Sequence, residues 1–121
     1  MARSHVKGNP ELARAIRELR HAARTHDAPV WNSVADGLAR SRHPSRPVSV
    51  GRLERIAEAE ETIVVPGKVL ADGALSKRLT VAAFAYSAEA RSKIRAAGGV
   101  ALSLHDMLKA KPNGAGVRLV G

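Results

Sequence analysis

The sequence predicts an α/β fold, a compact single domain of irregular short strands and helices in which N-terminal helices are followed by a small sheet. Three observations predict it. The 121 residues lie in the single-domain range and support one modest core. Apolar residues recur at helical spacing as far as Ala57. From Glu61 the texture turns to β-branched runs punctuated by Pro, Gly and Asp. No internal repeat and no low-complexity linker interrupts the chain.

Residues 1–8, MARSHVKG, have no apolar periodicity and read as a basic N-terminal arm that orders on binding, with Arg3, His5 and Lys7 as its charges. Residues 9–121 form the domain. At Asn9-Pro10-Glu11 a good N-cap, a first-position proline and a first-turn acid start a helix expected to run to about Thr25. Leu12, Ile16, Leu19 and Ala23 share its apolar side, and Arg14, Arg17, His21 and Arg24 repeat on the opposite side. A second helix is expected from about Pro29 to Arg40, with Val30, Trp31, Val34, Ala35 and Leu38 inward. Trp31, at helical spacing among aliphatics, is a core anchor before it is a base-stacking group.

The strap SRHPSRP, Ser41 to Pro47, follows. Pro44 and Pro47 bias His43 and Arg46 away from helix, which stiffens a loop carrying Arg42, His43 and Arg46. Ser49 caps a short helix with Val50, Leu53, Ile56 and Ala57 inward and Arg52 and Arg55 outward. In ETIVVPGKVL, Pro66-Gly67 marks a bend between two short strands. A turn at Ala71-Asp72-Gly73 leads to a strand from Leu79 to Phe84. Ser87 caps a helix from Ala88 to Ala97 that Gly98-Gly99 stops. Ser103 and Asp106 make a capping pattern for a last short helix to about Ala110, and Pro112-Asn113-Gly114 turns into a final strand, Val117 to Val120.

Twenty Lys plus Arg against eleven Asp plus Glu give a net charge of +9, which points to a polyanion or an acidic membrane face. Nucleic acid is favoured, because the longest uncharged run, Leu79 to Ala88, is about half a membrane span and no secretory signal is visible. The chain has no Cys, hence no disulfide framework and no thiolate metal site; cytoplasm is the default compartment. Two basic regions flank an acidic seam at Glu58, Glu60 and Glu61. A charged helix face is ordinarily solvated surface. Glu18, however, is the lone acid near the centre of the cationic face of the first helix, which tips the reading toward contact with an anion.

Little in the chain suggests catalysis. His21 and His26 are five apart, off the i, i+4 register that puts two metal ligands on one helix face. NGAG at 113–116 precedes a strand, whereas a phosphate-cradling loop leads from a strand into a helix. His43 has cationic neighbours that disfavour its own protonation, and it suits a weak phosphate contact better than a general base. No cofactor and no small-molecule substrate are expected. With Trp31, Phe84 and Tyr86 as the whole aromatic complement, a platform for stacking single-stranded bases is hard to build. Recognition of structured RNA by phosphate and shape remains. The candidate contacts are Arg3, Lys7, Arg14, Arg17, Arg24, Arg40, Arg42, His43, Arg46, Arg52, Arg55, Lys68, Lys77 and Arg78. Lys68 stands beside Pro66-Gly67, where a glycine lets a partner approach the backbone. Two other readings stay open: a helix-turn-helix DNA-binding regulator using the first two helices, and a protein scaffold whose charge only confers solubility. Against the former, the second segment offers Asn32, Ser33, Asp36 and Gly37 with no cation before Arg40.

The stretch KVLADGALSKRLTVAAFAYSAEARSKIRAAG, Lys68 to Gly98, resembles a block shared by the archaeal and eukaryotic large-subunit ribosomal protein eighteen (eighteen-e) family and the bacterial large-subunit ribosomal protein fifteen family. The matching elements are Lys68-Val69-Leu70, Gly73, Leu75, Leu79, Val81, and Ser87 followed by Ala90, Ile94 and Gly98. The remainder resembles the archaeal eighteen branch through Asn9-Pro10, Val30-Trp31, VSVGRLER and TIVVPGKVL, so the resemblance covers nearly the whole chain. It departs at Pro44 and Ser45, which interrupt a denser basic run in relatives. The resemblance implies a compact α/β domain bound to large-subunit ribosomal RNA in the cytoplasmic ribosome, with neighbouring ribosomal proteins as partners and no catalysis.

Overall fold

The computed structural model describes residues 9–40 and 47–121; the arm and strap residues 41–46 lie outside the described residues. Two helices, α1 (Pro10–Thr25) and α2 (Pro29–Ala39), come first. There follow β1 (Val48–Ser49), α3 (Val50–Ile56), β2 (Thr62–Leu70), β3 (Thr80–Tyr86), α4 (Ala88–Ala96), β4 (Val100–Ser103), α5 (Leu104–Ala110) and β5 (Val117–Leu119). Four of the five helices start on the expected side-chain caps. Asn9 Oδ1 accepts the Leu12 amide at 3.1 Å, Ser49 Oγ that of Arg52 at 3.1 Å, Ser87 Oγ that of Ala90 at 3.1 Å and Ser103 Oγ that of Asp106 at 3.0 Å.

All strand pairs are parallel, with β2 at the centre. β3 lies along one edge of β2, and β4 continues beyond β3. The other edge is shared: β5 pairs with Thr62 to Val64 and β1 with Val69 and Leu70. That division bears on the first departure from expectation. Pro66-Gly67 does not separate two strands; it sits inside a single nine-residue strand. The register shifts there, Val65 standing opposite Ala83 and Lys68 opposite Ala85, so one extra residue is absorbed as a bulge. Because Pro66 falls between the stretches covered by β5 and β1, its missing N–H leaves no ladder bond unmade. β1 and β4 were not foreseen, β3 runs two residues past Phe84, and β5 stops at Leu119, although the Val120 amide still donates to the Val64 carbonyl at 3.0 Å.

Strand alternation sends side chains to two cores. Ile63, Val65, Val69, Val81 and Ala83 pack with Val50, Leu53, Ala90 and Ile94, while Val64 and Ala82 pack with Leu19, Trp31, Val34, Leu38, Leu104, Met107 and Leu108. The sheet is therefore the middle of three layers, with α1, α2 and α5 on one side and α3 and α4 on the other. Burial on both faces is why the central strands read as unbroken apolar runs. Trp31 is fully buried, and its indole N–H donates to the Pro112 carbonyl at 2.8 Å, tying α2 to the turn before β5. At the end of α4 the Gly99 amide donates to Ile94 and that of Gly98 to Arg95, both at 2.9 Å, with Gly98 at φ +89°. A Cβ on Gly99 would stand 2.2 Å from the Leu79 carbonyl oxygen, so only glycine admits so close an approach to the chain entering β3.

Candidate nucleic-acid interface

The periodicity that buries Leu19, Ala22 and Ala23 on α1 turns Arg14, Arg17 and Arg24 outward, and none has an ion-pair partner among the described residues. Arg20 differs: it reaches across to α2, donating to Asn32 Oδ1 at 3.3 Å and Asp36 Oδ1 at 3.1 Å. On α3, Leu53 points inward, and Arg52 and Arg55 are exposed and unpaired among the described residues. Because α1 and α3 cover opposite faces of the sheet, these two sets of arginines do not form one patch. They face outward from both helical layers. Arg40, at the end of α2, and Lys68, on β2, are also exposed. Arg3, Lys7, Arg42, His43 and Arg46 lie outside the described residues.

Lys77 and Arg78 are engaged within the fold. The Lys77 ammonium donates to the Ala57 carbonyl at 2.6 Å, satisfying a backbone acceptor just past α3. Arg78 Nε lies 3.6 Å from Glu60 Oε2. The whole 71–78 loop is clamped. Glu54 accepts the Ser76 amide at 2.9 Å, the Ser76 hydroxyl at 2.7 Å and the Lys77 amide at 3.3 Å. These bonds, the Ser76 amide first, hold its carboxyl below the usual range. Lys93 donates to the carbonyls of Ala71 at 2.7 Å and Gly73 at 2.6 Å. The acidic seam is largely used internally as well: Glu61 accepts the Glu58 amide at 2.9 Å and pairs with Arg118 at 3.3 Å.

Between α1 and α5 lies an open cleft of about 590 Å³ lined by Arg14, Arg17, Glu18, His21 and His105. Glu18 bridges it, its carboxylate bonded to His105 Nδ1. His105 was missing from the sequence-derived candidates, and no local signal could have supplied it, since its partner is 87 residues away. Two further exposed cations that sequence reasoning passed over, Arg95 on α4 and Lys109 on α5, were legible only as last-turn basic residues.

The rest of the chemistry is inert. His21 Nε2 shares a 3.3 Å hydrogen bond with Thr25 Oγ1, a pairing along the surface of one helix. Among the described residues no three His, Cys, Asp or Glu stand close enough to hold a metal ion, and no helix is long and apolar enough to cross a membrane. NGAG is a turn, with Gly114 and Gly116 at positive φ and Asn113 Oδ1 accepting the Ala115 amide at 3.2 Å. The one Tyr86 hydroxyl proton is shared between the carbonyls of Leu102 at 2.6 Å and Val81 at 2.9 Å, and burial pushes the hydroxyl well above its ordinary pKa. Nothing on α2 supports the helix-turn-helix alternative, since its Asn32 and Asp36, the polar groups that would read bases, are bonded to Arg20.

A small α/β/α protein with unpaired cations on both outer layers, among the described residues, and its few aromatics packed inward falls in the class of small basic α/β proteins. Comparison with known proteins narrows the class. Residues 2–121 match the family described as "Ribosomal protein 60S L18 and 50S L18e". The chain is 44% identical over 114 residues to the "Large ribosomal subunit protein eL18" of Archaeoglobus fulgidus, covering 94% of this chain and 97% of the relative. The proteins of the same name from Methanopyrus kandleri and Haloarcula marismortui are 44% identical over 117 residues (93% of this chain, 92% of the relative) and 43% identical over 114 residues (94% and 97%). The chain belongs to this family of ribosomal proteins. It is a structural component of the ribosome rather than an enzyme.

Proposed function

We propose that this chain sits in the large ribosomal subunit as a wedge between segments of structured ribosomal RNA, gripping phosphates from both of its helical layers. The observation that carries this reading is the placement of unpaired cations on opposite faces of one rigid sandwich: Arg14, Arg17 and Arg24 on α1, Arg52 and Arg55 on α3. Arg40 and Lys68 extend the contact, and Arg3, Lys7, Arg42, His43 and Arg46 supply it from the arm and strap. Lys77 takes a structural role instead, and Arg78 contributes only where RNA outcompetes Glu60. Phosphate and shape recognition fits structured RNA, whose bases are hidden in a deep, narrow groove, and the absence of an exposed aromatic platform among the described residues argues against single-strand stacking. Neighbouring large-subunit proteins complete the environment, in the cytoplasmic ribosome.

The test is competition. Transcribed large-subunit ribosomal RNA of Archaeoglobus fulgidus is bound in the presence of excess duplex DNA of random sequence. Retained RNA binding supports the proposal; displacement of the RNA by that DNA would reduce the interaction to charge alone.

A further inference from the structure

The α1/α5 cleft contains one carboxylate among its cations, Glu18, while Glu11 lines the adjoining hollow beside Arg14, and the position of the Glu18 carboxylate bears on what the cleft can bind. Glu18 is four residues after Arg14 and three before His21, the spacings at which side chains on a helix meet. A free Glu18 would therefore neutralise Arg14 and stand in the path of any incoming anion. It does neither. Its carboxylate is drawn across to α5 and bonded to His105 Nδ1, which leaves Arg14 and Arg17 exposed with no counter-ion among the described residues. His21 is occupied separately by Thr25.

From this geometry we infer that the α1/α5 cleft is a seat for an RNA backbone phosphate held by Arg14 and Arg17, and that His105 is a positioning residue that ties the Glu18 carboxylate to the α5 wall and away from pairing with Arg14. The inference rests on the RNA-binding reading above and deepens it, assigning one contact to a place and adding a residue that touches no phosphate itself. The size of the cleft, about 590 Å³, leaves room for a phosphate group with its ribose neighbours. Arginine suits the task, since its planar fork binds phosphate oxygens two at a time. Glu18 is half-buried and His105 largely exposed, so the pair contributes little to stability. Its effect on binding is larger, because a released carboxylate both pairs with Arg14 and repels the phosphate.

The experiment is a double-mutant cycle on the full chain with the transcribed ribosomal RNA, reading affinity at several salt concentrations and folding by thermal melting. His105→Ala should weaken binding about two- to fivefold with little change in melting temperature. Glu18→Gln should bind at least as tightly as the parent. In the Glu18→Gln background, His105→Ala should have no further effect, because the carboxylate it restrains is gone. Arg14→Gln with Arg17→Gln should shallow the salt slope by nearly two units. Equal loss from His105→Ala in both backgrounds would overturn the positioning role and make His105 a direct contact. An unchanged slope in the double arginine variant would overturn the seat. If the parent itself fails to bind the RNA, the RNA-binding reading falls and takes the seat with it. A parent that binds while the cycle shows no coupling overturns the inference alone.

Discussion

Replacing Lys77 with Met separates a cation that serves the fold from those proposed to contact RNA. The Lys77 ammonium donates to the Ala57 carbonyl at 2.6 Å, and its stem is half-buried against α3. Methionine keeps the unbranched hydrocarbon and removes only the donor. A hydrogen bond from a charged group is worth about 1.5–3 kcal/mol, and because this bond is only partly buried the lower end, about 1.5 kcal/mol, is taken. For a chain of this size that lowers the melting temperature by about 6 °C, readable through the fluorescence of the single Trp31. RNA affinity and its salt slope should scarcely change. The paired variant Arg52→Gln, Arg55→Gln should behave in the opposite way, melting with the parent while its salt slope shallows by nearly two units. Were Lys77→Met to melt with the parent and lose about 0.9 of a unit of slope, the division into structural and RNA-facing cations would be wrong.

Three further outcomes are expected. Gly99→Ala forces a methyl against the Leu79 carbonyl oxygen, 2.2 Å from where its Cβ would fall, and should cost about 3 kcal/mol by denaturant unfolding; a loss below about 0.5 kcal/mol would mean the α4–β3 approach relaxes freely. Tyr86, the only tyrosine, has its pKa raised by burial above the ordinary 10.0, so its contribution to stability is complete below that value and is lost as pH rises through the higher folded value. Phenolate absorbance should therefore appear only together with unfolding, and a normal titration with Trp31 emission unchanged would contradict its burial. Glu54, held low by the Ser76 amide, stabilises the fold above its unfolded value of 4.5, and that stability is lost as pH falls through the lower folded value. Glu54→Gln should flatten the fall in denaturation midpoint on acidification, and an unchanged profile would mean that the clamp on residues 71–78 does not depend on the charge.

What could be read in advance follows the range of the interactions. Helix starts were legible because a cap bonds an amide three residues on, as Asn9, Ser49, Ser87 and Ser103 all do. The cores of β2 and β3 were legible because burial on both faces leaves unbroken apolar runs. β1 and β4 were not, since a two-residue and a four-residue strand exist only through parallel partners supplied from elsewhere in the chain. Pro66 looked like a breaker because nothing local reveals that β5 and β1 leave its edge of β2 uncovered. The outward arginines of α1 and α3 followed from periodicity, yet their placement on opposite sides of the sheet depended on topology. Lys77 looked like any surface lysine, because its acceptor lies 20 residues earlier. Glu18 looked like a lone acid on a basic face, because its histidine comes from the far end of the chain.

The most direct measurement is the affinity of the parent chain for its ribosomal RNA as salt is raised. Phosphate contact from two basic layers, neutralising about six charges, predicts that log K falls against log salt with a slope near −5, scaling from the duplex rule. A slope flatter than about −2 would leave the +9 surplus as a matter of solubility and contradict the phosphate-gripping wedge.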